Sequence, residues 1–113
     1  MTFGIVNVVG STIANLTDCG YFLRAGYEIG VASTKAFTSQ LVCILMLALY
    51  LGKKGSLSYE NYTDIMNAMK TLPILMEQVL SQDGEISDIA RILSSSRNMF
   101  FLGRKYQYVI ADE

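Results

Sequence analysis

Histidine and tryptophan are absent from this 113-residue chain, proline occurs once and cysteine twice. Without an imidazole, the chain alone cannot run Ser-His-Asp or Cys-His nucleophile chemistry or histidine acid–base catalysis. A zinc site takes about four Cys, His or carboxylate ligands at short spacing. Cys19 and Cys43 lie 24 residues apart and do not supply it. Excess charge of one sign is lacking too: nine basic against ten acidic residues leave a net charge of −1. That gives no electrostatic footprint for nucleic acid. The first dozen residues carry no basic n-region, so a secretory signal is not expected, and the two thiols are expected to be reduced, in the cytoplasm.

What is abundant is apolar surface. Apolar residues make up 51% and charged residues 17% of the chain, the latter below the roughly 25% usual for soluble domains. Such a chain folds rather than stays disordered. Its size fits one domain, or a piece of a larger one, at about 100–200 residues per domain.

The β-branched run from Phe3 to Gly10 reads as a strand buried on both faces, as in a parallel sheet. Ser11 to Gly20 reads as a turn holding one short helical stretch, and Tyr21 to Arg24 as a second strand. The loop from Ala25 to Gly30 has a glycine near each end. Ala36 to Gly52 contains no charge, and Leu41 to Leu51 is an unbroken apolar run of eleven residues. Eleven is short of the about 20 needed to span a bilayer, and a helix apolar all round is otherwise a buried one. The segment Gly52-Lys53-Lys54-Gly55 closes that helix, with cations where the dipole favours them. Ser56 or Ser58 caps the next helix, whose stripe includes Ile65, Met66, Met69, Leu72, Met76, Val79 and Leu80. Its methionines suit core packing. Pro73 predicts a kink or a restart, Asp83-Gly84 an end, and Glu85 to Leu93 a further helix. Asn98 to Leu102 reads as a third buried strand, turned by Gly103-Arg104 into a last helix from Tyr106.

Strands joined through helices predict an α/β layered architecture with a parallel sheet. In such sheets ligands bind at the carboxyl ends of strands, beside the following helix N-terminus. The stretch leading into Ser33, Thr34 and Lys35 meets that description. Ser33 and Thr34 are natural N-caps, and the same groups can hold a phosphate or sugar oxygen. Lys35 in the first turn opposes the helix dipole, which points to an anionic neighbour. Glu28 taken alone reads as a surface carboxylate. Arg104 could clamp an anion, but glycine followed by arginine is a common pair.

The thirteen residues Glu28-Ile29-Gly30-Val31-Ala32-Ser33-Thr34-Lys35-Ala36-Phe37-Thr38-Ser39-Gln40 are far more specific. They closely resemble the isomerase domain of the glutamine–fructose-6-phosphate transaminases. Gly4 to Ser11, Leu72-Pro73, Val79 to Asp83 and Phe101 to Arg104 fit the same resemblance, which runs over essentially the whole chain. It implies a sugar-isomerase (SIS) type α/β/α sandwich around a parallel sheet, present here as a fragment of about three strands and several helices. Residues 1–52 would be the last part of a first SIS module, 53–96 linking helices, and 97–113 the opening strand and helix of a second.

The resemblance also implies an activity. Enzymes of this kind take ammonia from glutamine and convert fructose 6-phosphate to glucosamine 6-phosphate, through a Schiff base and proton transfer between C1 and C2. Val31, Ala32 and Ser33 would line the sugar. Glu113 matches a glutamate a few residues before the family's catalytic lysine and acid–base glutamate, which do not fall within these residues. The isolated chain is therefore expected to be inactive. A nucleotide-sugar pattern of eukaryotic members, Ser-x-x-Thr-x-x-Gly-x-His, survives at Thr17 and Gly20, with Ala14 and Phe22 at its other two positions. Lys105 stands where the family usually has glycine, which sets a side chain against the turn's backbone angles. No cofactor, nucleic acid or membrane is expected as a partner; a phosphosugar is, and the parent enzyme is expected to be a homo-oligomer. A second reading of another class is a non-catalytic phosphosugar-binding SIS module acting as a sensor, and a third is a membrane-peripheral helical protein built on Leu41–Leu51. An exposed face on that helix would also make the isolated chain prone to self-association.

Overall fold

In the computed structural model, residues 1–30 and 33–112 are described. The chain divides into two compact units, one spanning Met1–Tyr62 and the other running on from Thr63.

In the first unit, strand β1 (Phe3–Val6) and strand β2 (Cys19–Phe22) pair in parallel, with Phe3 opposite Cys19 and Val6 opposite Phe22. Helix α1 (Thr12–Leu16) makes the crossover between them. The Ser11 side chain caps it by accepting from the Ala14 N–H at 3.3 Å, which satisfies one of the unpaired donors at a helix start. The register of the strand pair is pinned by side-chain bonds at the amino end and by a backbone bond at the carboxyl end. At the amino end, Asp18 Oδ2 accepts from the Thr2 N–H at 2.6 Å, and the Thr2 hydroxyl oxygen accepts from the Asp18 N–H at 3.2 Å. At the carboxyl end, the Leu23 N–H continues the ladder to the Val6 carbonyl at 2.9 Å. The strands approach closely at facing glycines: a Cβ added at Gly20 would collide with the Gly4 carbonyl oxygen.

Helix α2 (Lys35–Lys53) carries the apolar run. It ends where the glycine–lysine segment predicts, with the Gly52 carbonyl accepting from the N–H groups of Gly55 and Leu57 at 3.0 and 3.1 Å. Lys53 lies over the Tyr62 ring, 5.1 Å from its centroid. Lys54 lies over Tyr50 at 4.7 Å, and its hydrogen bond and charge lower the Tyr50 phenol from its ordinary value. The all-round burial expected of an uncharged helix is not what this chain provides. Leu49 is 4% exposed, but Ile44 and Tyr50 are 53% and 58% exposed, because two short strands cannot cover a 19-residue helix. Although the eleven-residue run is short of a span, the whole helix is long and apolar enough to cross a membrane by length and composition, a test that core helices of soluble proteins also pass.

Helix α3 (Tyr59–Leu80) starts at Ser58, whose hydroxyl accepts from the Asn61 N–H at 3.2 Å. It passes through Pro73 without restarting. A proline deprives one upstream carbonyl of its partner, a local loss that a 22-residue helix absorbs. Helix α4 (Asp83–Leu93) begins two residues before the expected start. Asp83 and Glu85 in its first turn complement the helix dipole, so Asp83-Gly84 opens a helix instead of ending one.

Helix α5 (Tyr106–Asp112) follows the Gly103-Arg104 turn. The expected third strand at 98–102 is not formed: among the described residues the sheet has two strands, and Phe100 and Leu102 are each 90% exposed. An apolar run becomes a strand only where a neighbouring edge accepts its hydrogen bonds, and none does here.

Candidate functional site

Asn7, one residue past β1, organises the carboxyl end of the strand pair. Its side-chain amide donates to the Gly26 carbonyl at 2.8 Å, and its Oδ1 accepts from the Ala25 N–H at 2.8 Å. Between those contacts Gly26 adopts φ +76°, a conformation glycine reaches without penalty. The loop after β2 is thereby folded back over the strand tip. A cleft of about 340 Å³ opens there, lined by Asn7, Val8, Gly26, Tyr27 and Glu28.

From this cleft wall the Glu28 carboxylate reaches the start of α2. Oε1 accepts from the Thr34 N–H at 2.6 Å, the Lys35 N–H at 3.0 Å and the Thr34 hydroxyl at 3.2 Å. Oε2 accepts from the Ser33 hydroxyl at 2.7 Å. The serine hydrogen bond, joined by those from Thr34 and Lys35, holds the Glu28 carboxyl well below its ordinary value, at about 2. The Lys35 ammonium turns back to the Tyr27 carbonyl at 2.6 Å, so that both Tyr27 and Glu28 are tied to the start of α2.

Two expectations change. Ser33 and Thr34 were expected to cap the helix, but Thr34 sits at the cap position with helical angles and makes no side-chain cap bond. A carboxylate from outside the helix does the capping, and both hydroxyls donate to it. Glu28 is accordingly no idle surface acid; its carboxylate accepts from the Lys35 backbone N–H, while the Lys35 ammonium, whose charge suggested an anionic neighbour, rests on a neutral carbonyl. The clue was available in the sequence as an acid a few residues before a Ser-Thr-Lys helix start with no acid of its own.

Of the other expected site residues, Val31, Ala32 and Glu113 lie outside the described residues. Thr17 and Gly20 border a second cleft, of about 210 Å³, that opens against the strand pair. Each also has a structural task. Thr17 donates its hydroxyl proton to the Ile13 carbonyl at 3.0 Å, and Gly20 permits the close approach to Gly4. Cys19 and Cys43 are free thiols, and partial burial raises that of Cys43.

A parallel strand pair with its connecting loop folded over the strand tips, feeding a long helix start, belongs to the α/β class, and the comparisons narrow it to the sugar-isomerase type. The C-terminal domain of glucosamine-fructose-6-phosphate aminotransferase from Francisella tularensis superposes with a TM-score of 0.89 at 37% identity, over 96% of this chain and 31% of that one. No protein-family model matches the chain. The glutamine–fructose-6-phosphate aminotransferase (isomerizing) of Haemophilus influenzae is 46% identical over 110 residues, and isoform 1 of Rattus norvegicus 45% over 108. Each match covers 96% of this chain, against 18% and 16% of the relative. The chain is homologous to a segment of the isomerase domain of the glutamine–fructose-6-phosphate aminotransferases. It spans about a sixth of the length of the curated relatives it matches.

Proposed function

We propose that the chain forms part of the sugar site of an isomerase domain that converts fructose 6-phosphate and glutamine-derived ammonia to glucosamine 6-phosphate. One observation carries this reading: the likeness to the Chlorobaculum tepidum aminotransferase runs through all 113 residues at 42% identity, the Glu28–Gln40 stretch included. The anchored Ser33 beside an open cleft supports it.

In this reading Ser33 offers its hydroxyl to the sugar, and Val31 and Ala32 offer backbone groups. Glu113 adjoins the region that bears the lysine of the reaction, while Thr17 and Gly20 belong to a nucleotide-sugar site. Residues 1–52 close a first SIS module, 53–96 link, and 97–113 open a second. The protein works in the cytoplasm within a homo-oligomer. In this reading the ring-opening histidine, the lysine and the acid–base glutamate of the family are not among these 113 residues, so the chain's part is to hold and orient the sugar.

The test is complementation. The chain is mixed with an isomerase domain from a relative lacking the equivalent segment, and glucosamine 6-phosphate is assayed. The expected outcome is no product from either part alone, product from the mixture, and less product with Ser33→Ala. A mixture as silent as its parts, with no response of the chain to fructose 6-phosphate, overturns the proposal.

A further inference from the structure

We infer that Glu28 is a positioning residue that commits the Ser33 hydroxyl proton and fills the start of α2, so that the site accepts a ligand hydroxyl and turns away anions. The inference deepens the sugar-site reading and rests on it. A serine hydroxyl has one proton and two lone pairs. Here the proton points at Glu28 Oε2, 2.7 Å away, which leaves Oγ to act as an acceptor. Its natural partner is then an O–H donor, such as a sugar hydroxyl. A carbonyl, or a phosphate oxygen that carries no proton, offers only lone pairs and meets lone pairs.

The second half of the device is the helix start. Free N–H groups there ordinarily attract anions. At α2 the Thr34 and Lys35 N–H groups are both taken by Glu28 Oε1, at 2.6 and 3.0 Å. An incoming phosphate would have to displace a carboxylate already supplied by the chain, against its charge. The Lys35 ammonium, held on the Tyr27 carbonyl at 2.6 Å, ties the same loop from its other side. Glu28 also lines the cleft, so the acid that orients Ser33 shares a wall with the space a ligand would enter.

The test is a double-substitution cycle on the full 113-residue chain. The probes are fructose 6-phosphate and, separately, inorganic phosphate, read by amide NMR shifts at residues 33–35. Glu28→Gln keeps the length of the side chain, and the Asn7 side-chain amide signal reports whether the loop remains folded. Fructose 6-phosphate is expected to shift these amides in the unaltered chain, and inorganic phosphate to leave them in place. Glu28→Gln and Ser33→Ala should each weaken sugar binding about tenfold, the scale of one charge-assisted hydrogen bond. The doubly substituted chain should bind no more weakly than Ser33→Ala alone, because one residue acts through the other. Glu28→Asp should recover part of the loss. Multiplicative losses, or a Glu28→Gln chain that binds like the original, overturn the inference while leaving the sugar reading intact, as do equal shifts from inorganic phosphate. No sugar response in the unaltered chain overturns both, and that outcome is told apart by the silent first titration.

Discussion

Two turns in this chain lead from an apolar run into a helix, and they are held in different ways. The turn before α2 is tied by side chains: Asn7 to the backbone of Ala25 and Gly26, Glu28 to residues 33–35, and Lys35 to Tyr27. The turn before α5 relies on backbone bonds among the described residues, from Gln107 N–H to the Arg104 carbonyl at 3.2 Å and from Tyr108 N–H to the Lys105 carbonyl at 3.1 Å. Sequence reading treats the two as alike, since each is a glycine-bearing turn followed by a cation. The structure separates them by what reaches in from elsewhere. Groups held by distant side chains are better fixed against thermal motion than groups held only by their neighbours, and in the first turn the holding is done by residues up to 19 positions away.

The sharpest way to break the backbone-held turn is Gly103→Ala. A Cβ at that position would collide with the Gln107 carbonyl oxygen, a backbone atom that cannot swing aside. The expected outcome is loss of α5, at a cost of about 3 kcal/mol, the upper end for overpacking, seen as lost amide protection over residues 106–112. Retained protection would mean that the turn can open without losing its helix.

Acid breaks the other turn. The Glu28 carboxyl is depressed from 4.5 to about 2, so its contribution is complete above its unfolded value. It is lost as pH falls through about 2. A carboxyl carbon NMR titration should place the Glu28 midpoint near 2, with the Thr34 and Lys35 amide signals moving in step. A midpoint at an ordinary glutamate value would show the clamp to be open in solution.

How much of this was readable from the residues alone follows from the same contrast. The start of the first strand, the crossover turn, the uncharged helix and its lysine-bearing end follow from local patterns, because hydrophobic period and end chemistry act over a few residues. The strand bounds do not, since β1 stops at Val6, short of Gly10, and β2 spans Cys19–Phe22 in place of Tyr21–Arg24. The capping of α2 differs from the local reading: Ser33 and Thr34 satisfy the cap rule, and the upstream glutamate that outcompetes them is marked only by the lack of an acid in the helix's own first turn. The third strand failed for a related reason, since Asn98 to Leu102 has strand composition but a strand is a property of a pair. At Pro73 the restart, one of the two outcomes a proline predicts, does not occur, because the helix continues on both sides.

The next prediction sharpens the side-chain-held turn. Asn7→Ala removes two bonds of 2.8 Å to the loop backbone. At about 0.5–1.5 kcal/mol each, the loss should be about 1–3 kcal/mol, measured as a lower urea midpoint for the first unit with an unchanged slope. The Glu28 contacts should loosen with it, visible as faster amide exchange at Thr34. A chain that loses the stability but keeps Thr34 protected would show that the two ends of the loop are held independently.

The smallest effect compares the turns directly. Arg24 and Lys105 are the non-glycine residues with positive φ among the described residues, at +53° and +56°. Each holds a Cβ where the left-handed conformation costs roughly 1 kcal/mol. Replacing Lys105 by glycine relieves that cost, offset by the greater freedom glycine has when unfolded. The net gain should be a few tenths to about 1 kcal/mol, read as stronger helical protection in α5. Arg24→Gly relieves the same strain next to Ala25, whose N–H Asn7 already grips. Because that loop is held from outside, its folded state gains little of glycine's added freedom to offset the freedom gained on unfolding, and the gain there should be no larger than the one at Lys105. A gain at Arg24 well above that at Lys105 would mean that the first turn carries strain beyond its one left-handed residue, and that side-chain ties do not set the difference between the two turns.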